Sequence, residues 1–244
     1  MRGARAAILG AALVAGAGQA GAVEDYDACL ALVAENPGRA EAEAADWANF
    51  GGGPAAEHCR AMALAALGAT RNAAGRLAML GTDGGDLPDA TRAEILVQAA
   101  GLYLDLQEIE AGLAVTEQAL RLDRSAEALT MRARLRAAAG QYGAALGDLD
   151  AAIETGGPTA DRIMLRASAR RREGRLVEAR QDVAWALELS PGLPVAWLEL
   201  GEIEAAAGAR NAARDAFLMA IELDPGGDIA ASARLSLQRM EAGG

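Results

Sequence analysis

The C-terminal half of the chain repeats itself at a fixed interval. Gly140, Gly174 and Gly208 follow one another every 34 residues, and Pro191 and Pro225 are separated by the same distance. Further sets of residues keep this spacing: Leu129, Ile163 and Trp197; Ala145, Ala179 and Ala213; Ala152, Ala186 and Ala220. Chance matches in an alanine-rich sequence would not also keep glycine and proline in phase. The chain is therefore predicted to contain an array of similar structural units.

Each unit reads as two antiparallel helices. The repeated glycines fit the end of a first helix, where a positive φ is needed, and the prolines end the second helix. Aromatic residues make up only 3% of the chain, although apolar residues make up 52%. A core of this kind depends on alanine and aliphatic residues, and alanine has the highest helix propensity. Composition and periodicity together predict an all-α fold of closely packed hairpins.

The segment from Trp197 to Pro225 resembles a tetratricopeptide repeat. The residues that carry the resemblance are Trp197, Leu200, Gly201, Ala213, Phe217, Ala220 and Pro225, whereas Glu204 replaces the usual tyrosine. The resemblance implies a right-handed superhelix, an α-solenoid, with units at 93–125, 126–159, 160–193 and 194–227. The copy at 93–125 is one residue shorter and looser, and the array as a whole is predicted over 88–227.

The segments on either side of the array are also predicted to be helical. Residues 23–87 form an N-terminal helical region, in which 54–87 is a degenerate hairpin of the same type. A loop is expected from Gly81 to Arg92. Residues 228–244 contain a helix that covers the open apolar end of the last repeat, as the ends of solenoids require.

The first 22 residues have the pattern of a secretory signal peptide. A positively charged start, MRGAR, precedes a short apolar stretch and the small residues Ala20, Gly21 and Ala22. Cleavage is predicted after Ala22, and the apolar stretch is too short to be a comfortable transmembrane helix. The protein is therefore predicted to be periplasmic or secreted, with no transmembrane segment in the mature chain.

The only two cysteines, Cys29 and Cys59, both lie in the N-terminal region. In an exported protein, an even pair of cysteines is most simply interpreted as a disulfide. The bond would hold the first predicted helix to the hairpin that follows it.

The sequence offers little chemistry for catalysis or metal binding. The single histidine, His58, is adjacent to Cys59, and adjacent helical residues point in different directions. A metal site needs more ligands than these two residues provide. No catalytic residue, metal site or cofactor is predicted. The net charge of −11 also argues against binding to nucleic acid.

The resemblance implies that the first helices line a concave groove that binds a protein or peptide. Carried onto this sequence, the groove residues are Val97, Leu104, Thr130, Arg134, Met164, Ser168, Arg171, Arg172, Leu198 and Glu202. Arg134, Arg171 and Arg172 would offer paired N–H donors to carboxylates of a partner. Alternatively, these arginines are solvated or neutralised within the array, which is the role expected of Arg132, Arg166, Arg136 and Arg170.

Trp185 lies on a second helix, in a column that usually faces outward. Two interpretations stay open: an exposed anchor on the convex side, or a side chain folded over an alanine-lined gap. The predicted function is a non-catalytic interaction module of the cell envelope, acting as an adaptor, scaffold or assembly factor. The alternatives are an exported enzyme with a site in the N-terminal region, or a structural protein that forms oligomers.

Overall fold

A computed structural model describes residues 25–242. The predicted signal peptide and its cleavage site after Ala22 lie outside these residues. Within them the chain is helical and contains no strand. The helices are α1 (Tyr26–Glu35), α2 (Pro37–Trp47), α3 (Gly53–Ala66), α4 (Thr70–Asp83), α5 (Asp89–Asp105), α6 (Ile109–Leu122), α7 (Ala126–Ala138), α8 (Tyr142–Gly156), α9 (Ala160–Arg172), α10 (Leu176–Leu189), α11 (Pro194–Ala206), α12 (Arg210–Leu223) and α13 (Asp228–Ala242). A π-helical turn, Ala48–Gly52, connects α2 to α3.

Each helix packs against the next one along the chain. The odd-numbered helices from α5 onward, here called the first helices, also pack on one another from one unit to the next. The even-numbered second helices have far less contact among themselves, so the first helices line the inner side of the array. This arrangement confirms the predicted all-α right-handed solenoid. None of the helices within residues 25–242 is long and apolar enough to span a bilayer.

The repeated glycines end the first helices as the sequence predicts. Gly140, Gly174 and Gly208 have φ values of 74°, 75° and 77°. Just beyond Gly140, the Gln141 N–H donates to the Arg136 carbonyl at 2.8 Å, which satisfies an otherwise unpaired carbonyl of the helix end. The same bond recurs after the other two glycines. Each unit therefore turns into its second helix with the same geometry.

Gly201 allows α11 and α12 to approach closely. A Cβ atom at this position would lie 2.4 Å from the ring of Phe217, which is itself fully buried. The aromatic ring thus occupies the space that any side chain at Gly201 would need. Gly201 and Phe217 therefore fit together within the last hairpin.

We expect Gly201→Ala to destabilise the protein by about 2 kcal/mol, because overpacking outweighs the gain in helix propensity. Gly147 on α8 is the matched control, since a Cβ there meets nothing within 4 Å. Gly147→Ala should stabilise the protein by roughly 0.5–1 kcal/mol. Urea unfolding measures both changes, and equal effects of the two substitutions would contradict the packing account.

The disulfide is present and joins α1 to α3. Cys29 and Cys59 are fully buried, and their Cα atoms are 6.2 Å apart. They form a small core with Ala44 of α2, against which Tyr26 and Trp47 pack. The N-terminal region is therefore clipped covalently, as the fold prediction states.

The connection between α4 and α5 is shorter than the predicted loop from Gly81 to Arg92. Helix α4 continues to Asp83, and Gly81 within it is buried beneath Leu96, with no room for a side chain. The Arg92 side chain donates to the carbonyls of Gly81 (3.0 Å) and Thr82 (2.6 Å). These bonds satisfy the end of α4 without a long loop.

Helix α13 packs on both α11 and α12 at the C-terminal end. Its buried Ala233 belongs to the core that contains Phe217, and Ile229, Leu237 and Met240 pack against that core. The helix thus occupies the position that the first helix of a further unit would take, and it covers the apolar side of the last hairpin.

Candidate functional site

Two buried aspartates neutralise the arginines that recur along the first helices. Asp148 on α8 accepts hydrogen bonds from Arg132 (2.7 and 3.0 Å) and from Arg136 (2.7 Å). One unit later, Asp182 on α10 accepts from Arg166 (2.8 and 3.1 Å) and forms an ion pair with Arg170 (2.7 Å). We call these contacts the ionic ladder.

The ladder lies between helices and away from solvent. Asp148 is 4% exposed and Asp182 is 2% exposed. Burial lowers the pKa of Arg166, but its hydrogen bonds to Asp182 and Asp150 more than offset this, so the pKa is raised overall. Charges held in this way are structural. Arg132, Arg136, Arg166 and Arg170 are therefore committed to contacts within the array.

Two of the three arginines predicted for partner binding are also paired. Arg134 donates to both carboxylate oxygens of Asp161 at 2.9 Å. Arg171 donates to Glu199 at 2.7 and 3.3 Å. Both pairs connect consecutive first helices, so these two arginines are neutralised within the array, as the alternative interpretation of the sequence states. Arg172, by contrast, is exposed and has no ion-pair partner among the described residues.

The other predicted groove residues differ in their exposure. Thr130 and Met164 are buried, so neither offers its side chain to a partner. The Thr130 hydroxyl donates to the Ala126 carbonyl and accepts from Arg162, a buried arginine that the sequence reasoning did not single out. Five predicted residues remain partly exposed on the first helices: Val97, Leu104, Ser168, Leu198 and Glu202.

A cleft of about 320 Å³ opens where α9, α11 and α13 meet. We call it the C-terminal cleft; it is lined by Arg171, Arg172, Leu198, Glu199, Glu202, Ser232, Ser236 and Arg239. Arg239 donates to the Ser236 hydroxyl at 3.0 Å and forms no ion pair within residues 25–242. The repeat period gave no signal for Arg239, because it lies on the capping helix outside the repeats.

Trp185 is half-buried and not a fully exposed anchor. It packs on the core around Ile163 and Val183. The guanidinium carbon of Arg166 lies 5.7 Å from the centre of the Trp185 ring, within cation–π distance. Trp185 therefore covers one end of the ionic ladder.

Both ring nitrogens of His58 are engaged in hydrogen bonds. Its Nδ1 lies 2.8 Å from the Tyr26 hydroxyl, and its Nε2 lies 2.8 Å from Oε1 of Gln98. The neighbouring Cys59 is held in the disulfide. No cluster of three or more potential metal ligands occurs within residues 25–242.

The structure is a stack of helical hairpins that repeats with the period of the sequence and is covered at its end by α13. This arrangement is typical of the tetratricopeptide-repeat fold, and comparison with solved structures supports that assignment. MamA from Desulfovibrio magneticus has a TM-score of 0.59 at 19% identity, over 69% of this chain and 93% of that one. A tetratricopeptide repeat protein from Parabacteroides merdae has a TM-score of 0.63 at 17% identity, over 88% and 84%.

YrrB, described as a TPR protein with an unusual peptide-binding site, has a TM-score of 0.55 at 20% identity. The match covers 86% of this chain and all of YrrB. No protein-family model and no curated protein matches the sequence. At these identities the structural matches show the fold, which is of the tetratricopeptide-repeat type.

Proposed function

We propose that this protein is a non-catalytic interaction module that binds an acidic segment of a protein partner along its first helices. The observation that carries the proposal is the C-terminal cleft. The arginines of the ionic ladder are neutralised by buried aspartates, but Arg172 and Arg239 line an open cleft and have no carboxylate partner among the described residues.

The chemistry of the C-terminal cleft suits a carboxylate. A guanidinium group presents a planar fork of N–H donors that matches the two oxygens of an acidic side chain or of a chain terminus. Leu198 adds apolar surface, and Ser232 adds a hydroxyl group. Glu199 is already engaged by Arg171, and Glu202 accepts a hydrogen bond from the Ser236 hydroxyl. The three arginines of the lining outnumber these two glutamates, so the cleft keeps a net positive charge. The peptide-binding site described for YrrB supports binding by this fold.

The proposed place of action is the cell envelope or the exterior, where the protein would serve as an adaptor, scaffold or assembly factor. The buried disulfide supports this, because such bonds persist in oxidising compartments. The signal-like pattern of the first 22 residues, with cleavage after Ala22, belongs to the same proposal.

The test reverses the two unpaired charges of the C-terminal cleft. We expect Arg172→Glu combined with Arg239→Glu to reduce partner recovery about tenfold, because attraction for a carboxylate becomes repulsion. The measurement is crosslinking in the native compartment, followed by quantitative mass spectrometry of the captured proteins.

The matched control is Arg121→Glu combined with Arg124→Glu, which changes the net charge equally. Both control residues are exposed near the end of α6, outside the cleft, and neither has a partner among the described residues. Both variants should keep the circular dichroism spectrum and melting temperature of the parent. Equal recovery of the same partners by the two variants would refute the assignment of the C-terminal cleft.

A further inference from the structure

The backbones of successive odd-numbered helices lie close together along residues 25–242, except at one step. Helix α1 packs on α3, and each odd-numbered helix from α5 to α13 packs on its neighbour, whereas the backbones of α3 and α5 lie farther apart. Helix α4 packs against both. Side chains still connect α3 to α5, because Nε2 of His58 forms a hydrogen bond with Oε1 of Gln98.

A cleft of about 260 Å³ lies between α3 and α5. We call it the N-terminal cleft; it is lined by Tyr26, Pro54, Ala55, His58, Leu87, Thr91, Glu94, Ile95 and Gln98. This volume is below the roughly 300–1,000 Å³ typical of sites for drug-sized ligands. The cleft therefore fits a single long side chain better than a cofactor, and its apolar walls suit an unbranched aliphatic stem.

The one formally charged residue that lines the N-terminal cleft is acidic. Glu94 is exposed, has no ion-pair partner among the described residues, and is the only formally charged residue of the lining. Asp27 lies close enough that its charge, after the larger effect of burial, raises the pKa of the Tyr26 hydroxyl. The Tyr26 ring also offers an aromatic face of the kind that attracts cations.

We propose that the N-terminal cleft binds the side chain of a lysine or arginine in a basic segment of a protein partner. The aliphatic stem lies between Pro54, Leu87 and Ile95, and the cationic head is placed beside the Glu94 carboxylate and the Tyr26 ring. This site is separate from the C-terminal cleft, which has the opposite charge preference, and it does not depend on the function proposed for that cleft.

The single histidine provides the test, because a tag-free protein gives one pair of imidazole C–H resonances. The probe is an acetylated and amidated decapeptide of alternating lysine and serine, added to the full chain during NMR. Matched decapeptides carry acetyl-lysine or glutamate in place of lysine. We expect a saturable shift of the His58 resonances with the lysine peptide, binding at least about fivefold weaker with acetyl-lysine, and no shift with glutamate.

Substitutions of single glutamates test whether the Glu94 carboxylate binds the lysine side chain. Glu94→Gln should weaken binding of the lysine peptide about fivefold. Glu110→Gln on α6 is the control, because Glu110 is also exposed and has no partner among the described residues. The Arg172→Glu and Arg239→Glu pair should leave the His58 response unchanged, so failure of one proposal does not imply failure of the other.

Several outcomes would overturn the proposal. A missing shift with the lysine peptide, or equal binding of the acetyl-lysine peptide, would show that the cleft does not select a cation. A shift that depends on protein concentration would assign the cleft to a second copy of the chain. Nuclear Overhauser contacts from His58 to Val23 without peptide would assign it to the chain's own N-terminal segment.

Discussion

Asp182→Ala is expected to lower the free energy of unfolding by about 3 kcal/mol, because it leaves two arginines facing each other without their shared counter-ion. The Asp182 side chain is 3% exposed, and the side chains of Arg166 and Arg170 are only 12% and 16% exposed. Water therefore replaces the lost carboxylate poorly. Arg166 retains only Asp150 as an acidic partner in the described part of the chain.

The matched control is Asp150→Ala. Asp150 accepts from the same Arg166 at 2.8 Å, but its side chain is 60% exposed. Ion pairs in solvent contribute little, so we expect a loss below about 1 kcal/mol. Urea unfolding followed by circular dichroism measures both variants, and similar losses from the two would show that burial does not decide the strength of the ionic ladder.

Removal of the disulfide is expected to have an effect of similar size in a different place. The bond closes a loop with a sequence separation of 30 residues. The chain-entropy model then gives a loss of about 3–4 kcal/mol for Cys29→Ala combined with Cys59→Ala. Solenoid units contact only their neighbours, so unfolding should begin in α1–α3 and leave the repeats helical.

Hydrogen exchange on the double variant tests this location. We expect protection to fall in residues 26–66 and to be retained in residues 126–223. Reductant should have the same effect on the parent protein and none on the double variant. A uniform loss of protection along the whole chain would contradict the nearest-neighbour description.

The solenoid and part of the ionic ladder could be predicted from the sequence because both follow its period. Gly140, Gly174 and Gly208 mark the ends of the first helices, and their interval sets the size of a unit. Arg132 and Arg166 recur at that interval, and so do Asp148 and Asp182. Equal spacing places such groups at equivalent positions in successive units. The sequence therefore allowed these arginines to be assigned to salt bridges within the array.

The contacts between units and at the two clefts could not be predicted in the same way. The pairs Arg134–Asp161 and Arg171–Glu199 depend on the distance between consecutive first helices, which the period does not fix. Arg239 and His58 lie outside the regular repeats, so no equivalent position in another unit indicates their contacts. The wider backbone separation between α3 and α5 is not signalled by any short motif.

The ionic ladder also implies an uneven mechanical stiffness along the molecule. It spans two units only, because Leu200 and Ala216 occupy the next arginine and aspartate positions. Bonds from a planar guanidinium to a carboxylate are directional, and they resist sliding of one helix along another. The helices of the last hairpin pack on each other through apolar contacts around Phe217, while Arg171–Glu199 and Arg180–Glu204 join this hairpin to the preceding unit. Sliding of one helix along its partner should therefore be more restricted within the hairpins α7–α8 and α9–α10 than within α11–α12.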